Sequence, residues 1–371
     1  MDPRALIPAC ARLPAGGVRV ARWVALAVLT IALAPLTALA CAVCAPTAPL
    51  TVVQRMIDAD RAVLAVPDSG PPPAWRIVEV LKGDPGGSAP DASAPIPRDA
   101  GERPVLWVRD ALSREWTPLA AVAASRTEWL RSLGMFKRTA EMDASDWTAR
   151  VAAFVPLLED PEPLVAETAY GEVARAPYAA MRANRTSLDA MRLARWVDDP
   201  NLADRRPLYL LLLGLAGGPA DAARIERRLA ARRPGTDTTD LPALIAAQLE
   251  LRGAARLPAV EKAWLLDPAR TQQEVRAAIV AMSVHGGSPG PVSREAVVGA
   301  YLRFVERRRP LAGLVAQDLA GWKVWEATPR YAAWVDAPDI PMWSRIAMLQ
   351  YLRESPDPAA KPAIERALRA R

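Results

Sequence analysis

From Asp143 onward, apolar residues recur at helical spacing. Val151, Phe154, Val155 and Leu158 fall at i, i+3, i+4 and i+7, the pattern of one buried helix stripe. Leu164, Val165, Thr168, Ala169, Glu172 and Val173 define a second helix, whose small residues Ala166, Ala169, Gly171 and Ala174 allow close approach. Between the two lies Leu158-Glu159-Asp160-Pro161. Pro161 lacks an N–H and cannot continue the first helix. It fits the first turn of the next one, with Asp160 as the N-cap. The same reading predicts helices over 144–158, 161–175, 187–198, 205–215, 219–232, 241–252, 257–266, 271–284, 292–308, 311–324, 328–335, 341–354 and 358–370.

Upstream the period changes. Leu50 to Asp58 reads as a helix with Val52, Val53, Met56 and Ile57 on one side. Arg61–Val66, Trp75–Leu81 and Pro104–Val108 read as strands, with Trp116–Leu119 as a fourth. Gly83 to Gly101 is rich in Pro, Gly and Asp and has no period, so it is expected as a long flexible loop. Ser125 is placed to cap a short helix through Trp129 and Leu133. The switch of period from 2 to 3.6 near Ser125 divides the chain into a small β-containing module, about 41–135, and a helical array, about 140–371. The expected fold is therefore mainly α: a right-stacked α-α array with a small N-terminal β module.

The array has a recurring corner. Asp-Pro pairs stand at 160–161, 199–200, 267–268 and 357–358. The first two are 39 residues apart, near the ~40–47 of HEAT-type repeats, and the next gap of 68 breaks the period. Pro156-Leu157-Leu158-Glu159-Asp160-Pro161, with Val165 and Ala169 beyond it, resembles a HEAT repeat, which implies a superhelical stack for this region.

The first 40 residues read as a targeting segment. Arg4, Arg12, Arg19 and Arg22 precede an apolar run from Trp23 that ends Ala38-Leu39-Ala40. These are the marks of a secretory signal peptide cleaved after Ala40. An uncleaved membrane anchor and a lipoprotein acylated on Cys41 are the alternatives. The whole chain of 371 residues carries 47 basic and 41 acidic side chains, a net +6. Without residues 1–40, which hold four Arg and one Asp, the counts are 43 and 40, a net +3. Nucleic-acid binding needs a basic stripe. The clusters Arg227-Arg228, Arg232-Arg233 and Arg307-Arg308-Arg309 instead fall at predicted helix C-termini, where they complement the helix dipole. No nucleic-acid partner is expected, and membrane contact only if the anchor is retained or Cys41 is lipidated.

Cys41 and Cys44 would open the mature chain. In an oxidising compartment they most simply form a disulfide. Redox or metal-handling use and modification of Cys41 are the other readings. Cys-x-x-Cys, a helix, Ile57 to Ala65, and Val78-Glu79-Val80-Leu81-Lys82-Gly83 resemble the start of netrin-like, tissue-inhibitor-of-metalloproteinase-like OB barrels. They also resemble bacterial secreted proteins that join such a module to helical repeats. The resemblance covers roughly 60 residues and implies an OB-like module. The inhibitor family starts Cys-x-Cys and uses several disulfides, so protease inhibition does not carry over.

Candidate chemistry in the array is sparse. His285 is the only histidine. Followed by Gly286-Gly287, it is expected to end a helix, with glycine as the cap. Glu172 and Arg175 form an i,i+3 pair, expected on the surface unless Tyr170 and Tyr178 enclose them. Trp322, Trp325, Trp334 and Trp343 fill core or present an aromatic ligand face. Asn184-Arg185-Thr186 matches a glycosylation sequon. No catalytic set, metal site or cofactor is expected. The function expected is a non-enzymatic extracytoplasmic scaffold for a protein or envelope partner, with thiol-redox or metal handling through Cys41 and Cys44 as the alternative.

Overall fold

The structure is a computed structural model that describes residues 50–68, 74–90 and 103–369. The targeting segment, Cys41 and Cys44 lie outside the described residues. The chain is mainly helical with one four-stranded antiparallel sheet. Helix α1 (Val52–Asp58) leads into β1 (Ala59–Asp68), β2 (Ala74–Lys82), β3 (Val105–Asp110) and β4 (Trp116–Ala121). The sheet order is β2-β1-β3-β4.

Both faces of the two central strands are buried, and this is why their burial does not alternate. Ala62, Leu64, Leu106 and Val108 join the main hydrophobic core. Val63, Ala65, Val105 and Trp107 form a second small core with Trp75, whose ring meets Trp107 edge-on at 4.7 Å. The short helix α2 (Thr127–Leu133) follows. Ser125 does not cap it. A 3-10 turn over Ala124–Arg126 absorbs the serine, and Arg126 precedes α2 without a side-chain cap.

The helices then run α3 (Ala144–Phe154), α4 (Pro163–Ala174), α5 (Tyr178–Ala183), α6 (Ala190–Asp198), α7 (Arg206–Ala216), α8 (Pro219–Ala230) and α9 (Leu241–Arg252). After them come α10 (Leu257–Val260), α11 (Gln272–Gly287), α12 (Arg294–Arg307), α13 (Ala316–Gly321), α14 (Thr328–Trp334), α15 (Met342–Glu354) and α16 (Ala360–Arg369). Helix α5 lies between two predicted helices and was not expected. The predicted helix 257–266 is α10 followed by a π-helical turn, Glu261–Leu265, and 311–324 is a 3-10 stretch followed by α13.

Packing follows chain order. Helix α7 touches α5, α6 and α9; α9 touches α8 and α11; α11 touches α12; α15 touches α13, α14 and α16. Helices α7 and α9 are apolar all round and sit inside, as such helices must. Gly214 lets them meet: a Cβ there would lie 2.7 Å from the Ala247 Cα and 2.8 Å from its Cβ.

The Asp-Pro corners share one device. The Oδ1 atoms of Asp160, Asp199, Asp267 and Asp357 accept the N–H two residues on, at 2.9, 2.8, 2.9 and 2.8 Å. Asp84-Pro85 in the sheet region does the same at 2.9 Å. Each is an Asx-turn whose proline fixes the following φ. At the first corner the helix start therefore shifts: Pro163, not Pro161, occupies the first turn of α4, and Glu162 is its N-cap position. Glu159 turns the chain in the left-handed region at φ 57°, and Arg205 holds its carboxylate at 2.7 Å.

Arginines tie one helix end to the next. Arg227 and Arg228 stand in the last turn of α8, as the sequence predicts. Others reach across: Arg206, the first residue of α7, donates to Val197 O of α6 at 3.0 Å, and Arg294, the first of α12, to Gly286 O of α11 at 2.7 Å. Arg308 reaches Asp267 O at 2.6 Å and Arg366 reaches Ala332 O at 2.7 Å. These are orphan carbonyls near helix ends, which otherwise need water or caps.

Gly214→Ala should lower stability by about 1–3 kcal/mol, because the added methyl meets backbone rather than a movable side-chain tip. Urea unfolding of the two proteins checks this. Gly218→Ala, where a Cβ meets nothing within 4 Å, is the matched control and should change far less.

Candidate functional site

Among the described residues no group of three or more His, Cys, Asp or Glu side chains could hold a metal ion. No described helix is long and apolar enough to cross a membrane. Three polar clusters stand out instead, and their geometry separates structural work from open chemistry.

The first cluster lies where α1 meets the array. Glu172 is expected on the surface as the partner of Arg175, yet it is 0% exposed. Helix α4 is apolar on nearly every side, so Glu172 points into protein. Its Oε1 accepts from the Thr51 hydroxyl and its Oε2 from Arg150 Nη1 at 3.2 Å. Arg175 Nε stands 3.9 Å away and donates to Gly171 O at 2.9 Å. Arg150 also donates to Lys137 O at 2.7 Å and lies over the rings of Phe136 and Trp147. Burial lowers the pKa values of both guanidiniums from the usual arginine value. Thr51 meanwhile forms a capping box with Gln54 at the start of α1. Every charge here is engaged by protein, so the cluster is a structural tie.

The second cluster surrounds His285. It stands in the last turn of α11, as expected, but Ser288 and not a glycine is the C-cap. Helix α11 ends at Gly287, and the Trp322 ring packs where a Cβ on Gly286 would be. His285 is 1% exposed, and its Nε2 faces Ala246 O of α9 at 3.0 Å. A carbonyl only accepts, so Nε2 carries the hydrogen. Nδ1 then has no donor and stands 3.8 Å from Glu250 Oε2. That carboxylate is held by the Tyr178 hydroxyl at 2.9 Å and by Arg182. Tyr178 therefore belongs to this cluster. Burial pushes the His285 pKa down, more than the Ala246 carbonyl and Glu250 raise it. The ring is closed off from solvent.

The third cluster lines a groove of about 210 Å³. Its walls come from α8, α9 and the α10–π segment. Arg232, Arg256 and Arg270 supply guanidiniums, Gln248 an amide, Trp264 an indole, and Leu229 and Val260 apolar surface. With its amide turned to suit its neighbours, Gln248 accepts from Arg256 Nη2 and Nε at 3.1 and 3.0 Å. Glu226 is taken by Arg252 through two contacts of 3.1 Å, which hold its carboxyl below the usual range. Arg270 lies 4.0 Å over the Trp264 ring.

The π-turn shapes this wall. Leu266 N–H donates to Glu261 O at 3.0 Å, an i to i+5 bond. The extra residue lets Trp264 and Leu265 both turn inward while Glu261 receives Arg303 at 2.8 and 2.7 Å. Such bulges recur at functional sites. Nothing in the periodicity of 257–266 marks the π-turn, so sequence reading missed the groove. The available hint was Gly253, at φ 68°, breaking the helix three residues before Arg256.

No family model, no curated protein and no solved structure matches this chain. The remaining sequence candidates are dispersed. Trp322 stacks on Tyr301 at 5.8 Å, Trp325 packs near Tyr351 at 5.1 Å, and Arg309 lies over Trp334, so these rings do not share one ligand face. Asn184, in the sequon, is buried, and its amide donates to Thr148 O and Ala180 O at 3.0 and 2.9 Å.

The lone imidazole makes a clean test. Its folded pKa is below the unfolded ~6.5, so the unfolded chain binds more protons in the window beneath that value. Stability contributed by neutral His285 is full above that pH and falls as pH drops through it. Histidine-selective NMR should show the folded ring titrating below ~6.5. His285→Gln should flatten the pH dependence of urea unfolding in that window. A folded ring titrating at or above the ordinary value would contradict the assignment.

Proposed function

We propose that this chain is a non-enzymatic, extracytoplasmic interaction protein whose helical array presents its surface to a protein or envelope partner. The observation that carries the reading is the order of packing: α7 on α6, α9 on α8 and α7, α11 on α9, α12 on α11. Each helix buries its face mainly on neighbours in the chain, the arrangement of repeat stacks that serve as binding surfaces. It supports a HEAT-like superhelix beginning at the Asp160-Pro161 corner. The buried charges of the Glu172 and His285 clusters are engaged in holding helices together, which fits a scaffold. The antiparallel sheet with its leading helix is the part to which the netrin-like resemblance applies. Export by a signal peptide cleaved after Ala40 completes the reading.

Cys41-x-x-Cys44 favours a second reading, thiol-redox or metal handling at the start of the mature chain. One experiment separates the two. The exported full-length protein and its Cys41→Ser/Cys44→Ser variant are crosslinked in the native envelope, and the crosslinked peptides are mapped. The scaffold reading expects one reproducible partner on residues 140–371, captured equally by both proteins. Loss of capture in a variant that keeps its wild-type unfolding curve would contradict it and favour the thiol reading.

A further inference from the structure

The groove beside the π-turn holds a guanidinium, Arg256, whose one carboxylate contact is long and shared with Arg252. Glu226, Asp240 and Glu274 take Arg252, Arg232 and Arg270 as hydrogen-bonded ion pairs. Asp267 is a second partner for Arg270, at 3.6 Å. The hydrogen-bond partner of Arg256 is a neutral amide: with the Gln248 amide turned to suit its neighbours, the Gln248 oxygen accepts from Arg256 Nε and Nη2 and fixes the guanidinium's orientation. The nearest carboxylate oxygen, on Glu226, is 4.0 Å from Nη2 and already bidentate with Arg252. Arg256 Nη1 makes no hydrogen bond among the described residues, and its side chain is 42% exposed.

We infer that this groove binds a small carboxylate, with Arg256 as the anion's partner. One open guanidinium edge suits a monoanion. A phosphate, with charge near −2, would find the other guanidiniums already paired. A guanidinium edge matches a carboxylate in a planar fork. The space of about 210 Å³ is below that of drug-sized sites and takes only a short stem. Leu229 and Val260 give that stem apolar contact, and Ala263, exposed on the π-turn, leaves the mouth open. The carboxylate can come from a free short-chain acid or from a glutamate side chain of a partner. The groove lies on the array itself, but binding of a small acid is read without any partner present, so either reading can fail alone.

The test uses the full chain and three probes: isobutyrate, the peptide acetyl-Ala-Glu-Ala-amide, and inorganic phosphate. Binding is followed by ligand-observed NMR saturation transfer for the organic probes, and by competition against isobutyrate for phosphate. Isobutyrate or the peptide should bind saturably, with phosphate at least about tenfold weaker. Arg256→Gln should weaken binding by about tenfold, the loss of one charged hydrogen-bond partner. Ala263→Leu fills the mouth without touching the core and should abolish binding. Arg227→Gln, on an exposed arginine outside the groove, should leave it unchanged. Tighter binding of the peptide assigns the carboxylate to a partner's side chain, and binding of isobutyrate alone assigns it to a free acid. Non-saturable signals, equal or tighter phosphate binding, or binding that survives both Arg256→Gln and Ala263→Leu would overturn the inference.

Discussion

A carboxylate removed from water must be matched, and Glu172 sets the terms for half of this chain. An unpaired buried charge costs several kcal/mol, so the fold has to bring it donors. They arrive from three directions: Thr51 from the start of α1, Arg150 from α3, and Arg175 from the end of α4. Thr51 opens the helix that leads directly into β1, so placing its hydroxyl on Glu172 also places the sheet. Gly171 makes the approach possible, because a Cβ there would stand 2.7 Å from the Thr51 methyl carbon. The main hydrophobic core then runs without a break from Val53 and Leu64 into Phe154 and Val173. The sheet and the described helices thus belong to one compact unit.

Beyond that seam the array is kept in order by short-range rules. Asx-turns at Asp-Pro pairs stop one element and aim the next, each through a single N–H to Oδ1 bond. Arginines at the start of a helix close the carbonyls of the preceding one. Much of the chain's arginine is absorbed in this way, in caps and ion pairs. Net charge is therefore a poor guide to what the surface recognises. A local imbalance, such as the guanidinium of Arg256 facing an amide, says more than the total.

The sequence made the element types legible because their periods are strong. Short apolar, β-branched runs mark the strands and i, i+3, i+4 stripes mark most helices, and Leu241–Arg252 falls within the predicted bounds. What it hid follows from physics at longer range. Helix α5 has six residues, too few to show a period. Glu172 and Arg175 have the spacing of a surface pair. Only the tertiary neighbours Thr51 and Arg150, 121 and 22 residues away, reveal that the pair is buried. His285 with two glycines reads as a helix end, and it is one, but spacing does not show that the ring is buried against Ala246 O of α9. The π-turn has no composition signature, so the groove it shapes could not be anticipated. The Asp-Pro pairs were visible from the start, while the bond that unites them depends on side-chain orientation that spacing does not give.

The central claim is that the Glu172 carboxylate ties the sheet to the helices. Hydrogen exchange on the wild type and on Glu172→Gln tests it directly, because the amide keeps the shape and removes the charge. Losing one partner of a buried pair costs about 3–5 kcal/mol. The account predicts that amides of α1 and β1 lose protection together with those of α3 and α4, while α14 to α16 change least. Protection lost in α4 alone, with α1 and β1 exchanging as in the wild type, would contradict it.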